Sequence, residues 1–388
     1  LVQNGDFSQI GSEEVTNGSF SQEGSQLITN GDFATDSDWV KGTGWSISDG
    51  KAIANTTGNF VNLYQNSVFV VGKTYKTTFT IVDYTQGKVR LTQGGIDISG
   101  FQNAVGTYTT YFTATQTALY MQGSESFIGS IDNVSVKEVG QDWTLGTGWS
   151  IGEDKATNDG SVAANSYLIS TGNTLTIGKT YKVQYTILDY IQGNVRVRAG
   201  QASSIFVSAD GTYTEYMVAT STESVRVQVN SNFIGSITNI SVKEVGQNWS
   251  VTETWGIKNN LATANANSTS QYLQQNFNIT NGKKYLFSYE IIENTLNGNQ
   301  ASLSSSGGFG SVPLSDVIGT HEVYIDATNA AAAYALKIGI SGTASSGIIT
   351  ITNISVIEIT DDTNLPRINY SGFTYQDSLG SEEIVNGG

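Results

Sequence analysis

The sequence predicts an all-β fold built from three tandem β-sandwiches, and three observations carry this prediction. A phrase of alternating apolar and polar residues occurs at 130–140, at 236–246 and, more loosely, at 351–358. Such alternation is typical of a strand with one buried face. Each copy closes a block of roughly 105 to 115 residues, the size of a two-sheet sandwich. The composition, with 43 Gly and only 2 Pro, suits short strands joined by glycine turns.

Within each block the same pieces follow in the same order. Each block opens with two tryptophans six positions apart: Trp39 and Trp45, Trp143 and Trp149, Trp249 and Trp255. A Gly-Lys turn then starts an alternating strand, at Gly72-Lys73, Gly178-Lys179 and Gly282-Lys283. A second strand, a variable loop, a Gly-Thr turn and the closing phrase complete the block. Because the tryptophans recur at one place in all three blocks, we interpret them as core anchors rather than as a sugar platform.

These repeats predict the domain organisation. Three sandwiches are expected at 27–140, 141–246 and 247–360. Residues 1–26 are expected to be an extended lead-in and 361–388 a linker to a further module, because both are poor in apolar residues. One tetrapeptide pattern is repeated early in the chain: Asn4-Gly5-Asp6-Phe7, Asn17-Gly18-Ser19-Phe20 and Asn30-Gly31-Asp32-Phe33. The phrase at 380–388 resembles 11–19, which favours a piece of a longer protein.

Composition also bounds the function. A net charge of -15 argues against binding to nucleic acid, which needs a basic face. The chain has no Cys, so neither a disulfide nor thiolate chemistry is expected. No apolar run approaches the ~20 residues of a membrane span, so no membrane insertion is expected. No signal peptide is visible either.

Several of the repeated phrases resemble those of carbohydrate-binding modules in the galactose-binding-like jelly-roll group, especially families four and nine. The matching pieces are Asn-Gly-Asp-Phe at 30–33, the Trp39/Trp45 pair, the strand entry at 72–76 and the phrase at 131–136. The resemblance covers residues 27–360. It implies three jelly-roll sandwiches. It is a weaker indication of carbohydrate binding, because the group also contains purely structural domains. The segment 361–370 resembles one in large structural proteins of tailed phages, which implies a virion fibre or appendage.

We expect no enzymatic activity. The single histidine, His321, occupies the strand position of Tyr108 and Tyr213 in the other blocks, so we interpret it as structural. Without it, a Ser/His/Asp arrangement is not available. Acid pairs such as Asp36 and Asp38 do not recur between blocks, and no P-loop, dinucleotide fingerprint or zinc-ligand spacing is present.

A ligand site is expected where the blocks differ from one another. Aromatic rings that pack on sugar C–H faces, with arginines that bind hydroxyls, are typical of such sites. The candidates in the first two blocks are Tyr84, Arg90, Phe101, Tyr190, Arg196, Arg198 and Phe206. The third block carries Asn294 and Ser302 at the corresponding positions, so it is not expected to bind the same ligand.

The resemblance also implies a structural calcium between the first strand and an acid of the last strand. The candidate ligands are Asp32 and Asp132, whose oxygens suit a hard cation. We expect this site in the first block alone. The other two carry Thr238 and Thr352 in place of Asp132, and they are expected to lack the Asn-Gly-Asp-Phe lead-in.

Taken together, the sequence favours a non-enzymatic structural protein of a virion or cell surface, such as a fibre, decoration or appendage segment. Its expected partners are host-surface glycans, other virion or appendage subunits, and further copies of itself in a homo-oligomer. Its expected location is the virion surface or the extracellular space. Two alternatives stay open: an accessory binding region of a secreted polysaccharide-degrading enzyme, and a purely structural spacer array.

Overall fold

The computed structural model describes residues 1–359 apart from 163, 253, 268–269, 297–299, 306, 329–330 and 341–345, without the side chains of 331–335. The predicted linker at 361–388, with its phage-like segment, lies outside the described residues. Every described element is a β-strand, which confirms the predicted all-β class. Among the described residues, no helix is long and apolar enough to cross a membrane.

The strands fall into a lead-in and three sandwiches. The lead-in holds β1 (Ile10–Glu13) and β2 (Glu23–Gln26). The first sandwich has β3 (Val40–Lys41), β4 (Trp45–Ser48), β5 (Lys51–Asn55), β6 (Val61–Gln65), β7 (Thr74–Gln93), β8 (Ile96–Asp97), β9 (Gly106–Thr113) and β10 (Leu119–Val139). The second has β11 (Trp143–Leu145), β12 (Trp149–Gly152), β13 (Lys155–Asp159), β14 (Ser166–Ser170), β15 (Thr180–Ala199), β16 (Ala202–Ser203), β17 (Gly211–Val218) and β18 (Arg226–Val245). The third has β19 (Ser250–Val251), β20 (Trp255–Lys258), β21 (Leu261–Asn265), β22 (Gln271–Ile279), β23 (Lys284–Asn294), β24 (Ala301–Ser305), β25 (Val312–Pro313), β26 (Gly319–Asp326), β27 (Ala331–Ile340) and β28 (Ile348–Ile359).

Two long antiparallel strands, β7 and β10, form the frame of the first sandwich. Their register shifts between Ser124 and Ile128, where the backbone bends as at a β-bulge. The bend requires glycine at Gly87, whose φ is 75° and whose Cβ would lie 2.5 Å from the Phe127 backbone. Beyond the bend each strand belongs to the opposite sheet. The second sandwich repeats this bend with Gly193 against Phe233.

Each sandwich therefore pairs two sheets in a jelly-roll arrangement. In the third sandwich they are separate, with strand orders β19-β22-β27-β24-β25 and β20-β21-β28-β23-β26. The corresponding order in the first sandwich is β3-β6-β10-β7-β8, and in the second β11-β14-β18-β15-β16. We call these three the face sheets, because one side of each packs on the core and the other, the outer face, is available to a ligand.

The cores follow from strand alternation. In the first sandwich Leu63, Leu91 and Met121 are fully buried, and the polar residues between them point away. All six tryptophans are at most 6% exposed, which confirms their interpretation as core anchors. Burial of aromatic rings of this size contributes strongly to stability in a chain without disulfides.

The lead-in is part of these cores. The rings of Phe7, Phe20 and Phe33 are at most 2% exposed, and each packs on the first tryptophan of a different sandwich. The ring-centre distances are 5.2 Å for Phe33 and Trp39, 5.1 Å for Phe20 and Trp143, and 5.3 Å for Phe7 and Trp249. The Asn-Gly-x-Phe turn at 30–33 therefore packs on the first sandwich, the turn at 17–20 on the second and the turn at 4–7 on the third.

Local chemistry explains the tetrapeptide, as the second sandwich illustrates. Asn17 and Phe20 both have positive φ, 54° and 57°, and the Phe20 N–H donates to the Asn17 carbonyl. That carbonyl also accepts the Trp143 indole N–H at 3.0 Å. Gly18 is required because its Cβ would lie 1.8 Å from the Ile240 carbonyl oxygen. The Gly18 carbonyl in turn accepts the Ile240 N–H at 2.9 Å, which ties the turn to the closing strand.

This finding corrects one step of the sequence analysis. The second and third sandwiches do not lack an Asn-Gly-x-Phe turn; they receive it from residues 17–20 and 4–7. By internal contacts the described chain divides into two compact units. One comprises Leu1–Gly11, Gly178–Thr180 and the chain from Glu244 onward, and the other Ser12–Ile177 and Tyr181–Lys243. The sandwich boundaries at 27–140, 141–246 and 247–360 stay a prediction.

Candidate ligand-binding faces

The outer face of the first sandwich carries two rows of side chains across three neighbouring strands. In β6, β10 and β7 the register sets Asn62 opposite Gln122, and Gln122 opposite Arg90. One step along, Tyr64 lies opposite Tyr120. Because side chains alternate along a strand and adjacent strands lie about 4.8 Å apart, each row crosses the sheet on the same side.

The first row is a connected polar chain. Arg90 donates from Nε and Nη2 to Gln122 Oε1, at 3.0 and 2.8 Å. Gln122 donates onward to Asn62 Oδ1 at 3.2 Å, and Arg90 Nη1 binds Asp97 at 3.0 Å. The guanidinium also lies 4.4 Å from the centre of the Phe101 ring. These contacts fix the arginine in one orientation, which is what a polar recognition group on a binding surface needs.

The second row is aromatic. Tyr64 and Tyr120 stack with ring centres 5.0 Å apart and planes at 24°, and both are half-buried. Phe60 is 56% exposed and lies 5.8 Å from the Arg90 guanidinium carbon. The face therefore combines apolar ring surface with a fixed row of polar donors and acceptors, the mixture found in sites for small polar ligands.

The outer face of the second sandwich has the same arginine–glutamine–phenylalanine arrangement, with two further arginines. Arg196 donates to Gln228 at 2.9 Å and lies 4.3 Å from the centre of the Phe206 ring. Tyr167 is opposite Gln228, and Ile169 is opposite Arg226. A groove of about 270 Å³ lies beside β11 and β14, at the edge of this face. Arg198 lies on the same side of β15 as Arg196, because the alternating residues Val195, Val197 and Ala199 are buried on the other side.

The third sandwich has a different outer face. Ser302 and Gly339 are opposite each other there, where the first sandwich has Arg90 and Gln122. A Cβ on Gly339 would lie 3.0 Å from the Tyr272 ring, so that ring lies over the strand. Lys337 is 5.3 Å from the same ring, and Phe309 is only 7% exposed. These differences agree with the expectation that this sandwich does not take the same ligand.

The structure brings together some of the residues expected at the site. Arg90 contacts Phe101, and Arg196 contacts Phe206, whereas the sequence had placed Tyr84 and Tyr190 beside these arginines. Tyr84 lies beyond the bend, opposite Gly129, and its hydroxyl donates to the Gly87 carbonyl at 3.0 Å. Tyr190 donates to Gly193 in the same way, at 3.1 Å, and its ring packs on Phe233. Both tyrosines thus brace the bend rather than line the outer face.

The residues that sequence reasoning missed are Asn62, Tyr64, Tyr120 and Gln122. Their signal was available in the alternation of β6 and β10, where each stands next to a buried Leu63, Leu119 or Met121. What the sequence did not reveal is which strands are neighbours, and therefore that these side chains share a face with Arg90.

The expected calcium ligands are not brought together by any described contact. Asp32 is exposed and accepts the Ala34 N–H, whereas Asp132 accepts from the backbone and side chain of Asn133. Within the described residues, no group of three or more His, Cys, Asp or Glu could hold a metal. In the second sandwich, Thr238 donates to the Asp154 carbonyl at 2.8 Å. Asp132 has no hydroxyl and cannot make the corresponding donation. The calcium site stays a prediction.

Several titratable groups of the described residues have shifted pKa values. The acids with resolved shifts all have lowered pKa values. Hydrogen bonds from Lys137 and Lys76 lower the pKa of Glu23, and one from Lys155 lowers the pKa of Asp189. His321 contacts the Val317 carbonyl at 2.7 Å, as Tyr108 contacts the Ala104 carbonyl, which agrees with its structural interpretation.

Comparisons with known proteins add little beyond the fold. No protein-family profile matches the sequence, and a search of curated proteins finds no match. Among solved structures, the chain is similar to the N-terminal CBM22-1–CBM22-2 tandem domain of Xyn10C from Paenibacillus barcinonensis. That likeness has 10% identity over 58% of this chain and 99% of the other, with a TM-score of 0.27. It is also similar to a chain from a triple jelly-roll and turret assembly of an archaeal virus, with 11% identity over 83% of this chain and 89% of the other, and a TM-score of 0.21. At TM-scores this low, neither likeness carries an argument about this chain.

Proposed function

We propose that this chain is a non-enzymatic surface protein of a virion or cell, and that the outer faces of its first two sandwiches bind glycans. The observation that carries the proposal is the fixed row of Arg90, Gln122 and Asn62 beside exposed aromatic rings. The contacts of Arg90 with Gln122, Asp97 and Phe101 hold its guanidinium in one orientation on the outer face.

The mechanism we propose is surface recognition without bond making. A pyranose ring packs its C–H face on the aromatic surface of Phe60, Phe101 or Tyr120, and its hydroxyls exchange hydrogen bonds with Asn62 and Arg90, which Gln122 holds in place. Arginine and glutamine that are already ordered lose little conformational entropy when the sugar binds. The lowered pKa values of the acids do not favour a general acid, which requires a raised one.

Sites that each bind a glycan weakly can together give strong attachment when many of them are displayed. Two sandwiches of one chain, or many copies on a particle, convert later binding events into intramolecular ones, which raises the overall avidity. This is how a fibre, decoration or appendage segment would attach to a host surface. The net charge of -15 is compatible with a soluble display array.

The decisive experiment is a glycan array probed with the full chain, wild type and Arg90→Ala. We expect binding to at least one glycan class through the first sandwich and a loss of about ten-fold or more in affinity for that class in the variant. The matched control is Tyr84→Phe, which removes the hydroxyl contact at the bend but lies off the outer face. Binding to no glycan would refute the proposal and favour the spacer alternative.

The enzyme-accessory alternative differs in what surrounds the chain rather than in the face itself. Sequencing the full-length gene separates the two. An adjacent glycoside-hydrolase domain would favour the accessory role, whereas further sandwiches of this kind would favour the fibre.

A further inference from the structure

The outer face of the second sandwich carries three arginines, Arg196, Arg198 and Arg226, in a chain that is strongly acidic overall. In the first sandwich the matching register sets Thr92 opposite Tyr120. The corresponding residues of the second sandwich are Arg198 and Arg226, on the paired strands β15 and β18. Arg196 already contacts Gln228 as Arg90 contacts Gln122, which supports the same register.

Two arginines directly opposite each other repel. Cross-strand Cβ atoms lie about 4.5–5.5 Å apart, and like charges at that distance destabilise a sheet. One neighbouring acid offsets part of this charge, since Glu223 lies 3.4 Å from Arg226 Nη1. That leaves an excess of positive charge on the face.

Both arginines also have an unused donor. The Nε atoms of Arg198 and Arg226 are buried and have no hydrogen-bond partner. Asn230, which follows Gln228 on the same side of β18, has a buried Oδ1 atom without a partner. These atoms are enclosed by protein, so they do not themselves reach a ligand. The two arginine side chains are part-exposed, with Glu223 as the acid beside one of them. A ligand that supplies negative charge to this face would offset the excess.

An anionic sugar supplies this charge. A carboxylate or sulfate group accepts from the guanidinium forks, with which it can form paired hydrogen bonds. The adjoining groove of about 270 Å³, lined by Tyr167 and Ile169 among others, offers apolar surface for the ring that carries the charge.

We infer that the outer face of the second sandwich binds an acidic glycan, through Arg198 and Arg226 on its anionic group. The inference deepens the glycan-binding function proposed above and rests on it. It also implies that the two sandwiches differ in ligand, because Thr92 and Tyr120 give the first face no second or third arginine.

The test compares acidic oligosaccharides with neutral forms of the same backbone. The full chain is titrated with oligogalacturonate and its methyl ester, and with a sulfated oligosaccharide and its desulfated form. We expect the charged form of at least one pair to bind ten-fold or more tightly than its neutral form, and to weaken as salt screens the interaction. The two pairs distinguish a carboxylate from a sulfate as the recognised group.

The variant Arg198→Thr restores the residue of the first sandwich. We expect it to weaken binding of the charged form about ten- to a hundred-fold, and to leave the melting temperature unchanged or higher because it relieves repulsion between like charges. Lys182→Ala, which removes one positive charge elsewhere in β15, should leave binding unchanged. Should Arg198→Thr fail to fold, Arg198→Lys keeps the charge but not the fork, and the same loss of binding is expected.

The outcomes separate this inference from the proposed function. Equal binding of charged and neutral forms, insensitive to Arg198→Thr, would overturn the inference and leave glycan binding standing. Binding of no glycan, acidic or neutral, would overturn both.

Discussion

Replacing Phe20 by alanine tests whether the lead-in is part of the folded core. The Phe20 ring is 2% exposed and packs 5.1 Å from Trp143, in the same cluster as the buried strands of the second sandwich. Phenylalanine-to-alanine changes in cores cost about 3–5 kcal/mol. In a cooperative unit of 150–250 residues, 1 kcal/mol corresponds to about 2–4 °C. The expected drop in melting temperature is therefore about 6–20 °C.

Denaturant unfolding monitored by circular dichroism gives the free energy directly, and Phe60→Ala is the matched control. Phe60 is 56% exposed, so its change should stay within about 0.5 kcal/mol. A third variant tests the backbone. Because φ at Phe20 is 57°, Phe20→Gly should be at least as stable as Phe20→Ala, whereas in ordinary strands glycine is less stable than alanine. A loss below about 1 kcal/mol for Phe20→Ala would refute the claim that the lead-in completes this core.

Three further predictions concern an ion-pair cluster, the expected calcium site and the buried tryptophans. Glu23 accepts hydrogen bonds from Lys76 and Lys137 at 2.6 and 2.8 Å, and these bonds lower its pKa in the folded state. The two ion pairs contribute about 1 kcal/mol or less to stability. This contribution is present above the pKa of the unfolded state and is lost as pH falls through the pKa of the folded state. Glu23→Gln should therefore melt lower than wild type at pH 7, and the difference should shrink steadily as the pH is lowered into the acid range. A difference that is as large in acid as at pH 7 would contradict this. Calcium should raise the melting temperature of the chain and not of Asp132→Asn; no rise with calcium in wild type would refute the predicted site. Glycan binding should leave tryptophan fluorescence unchanged, because all six indoles are buried; a large change would mean that an indole lines the site.

Much of the fold could be predicted because its signals are local. Alternation along 130–140 and its copies specifies which side chains face the core, and glycine turns specify where strands end. Arg90 and Phe101 were both recognised as candidates from the sequence, but their contact with each other was not. The single-histidine argument needed only the position of His321 within a repeated strand.

The rest depends on non-local packing. The Trp143 indole N–H donates to the Asn17 carbonyl, 126 positions away, and no local pattern states which of the three similar tetrapeptides packs on which sandwich. The outer face shows the same limit. Asn62 and Gln122 belong to strands 60 positions apart, so their contact follows from the sheet order alone. Tyr84 was assigned to the site by its closeness to Arg90 in sequence, but the bend at Gly87 separates them.

Hydrogen–deuterium exchange on the full chain, with and without its tightest glycan ligand, is the most direct test of the central claim that the outer faces bind. Ligand contact slows local opening of the strands that it bridges. We predict slower exchange in the face-sheet strands, at 61–65, 89–97 and 119–124 or at 166–170, 195–203 and 226–230. Exchange at 106–113 and 211–218, in the opposite sheets, should not change. Protection confined to the opposite sheets or to the lead-in would contradict the account.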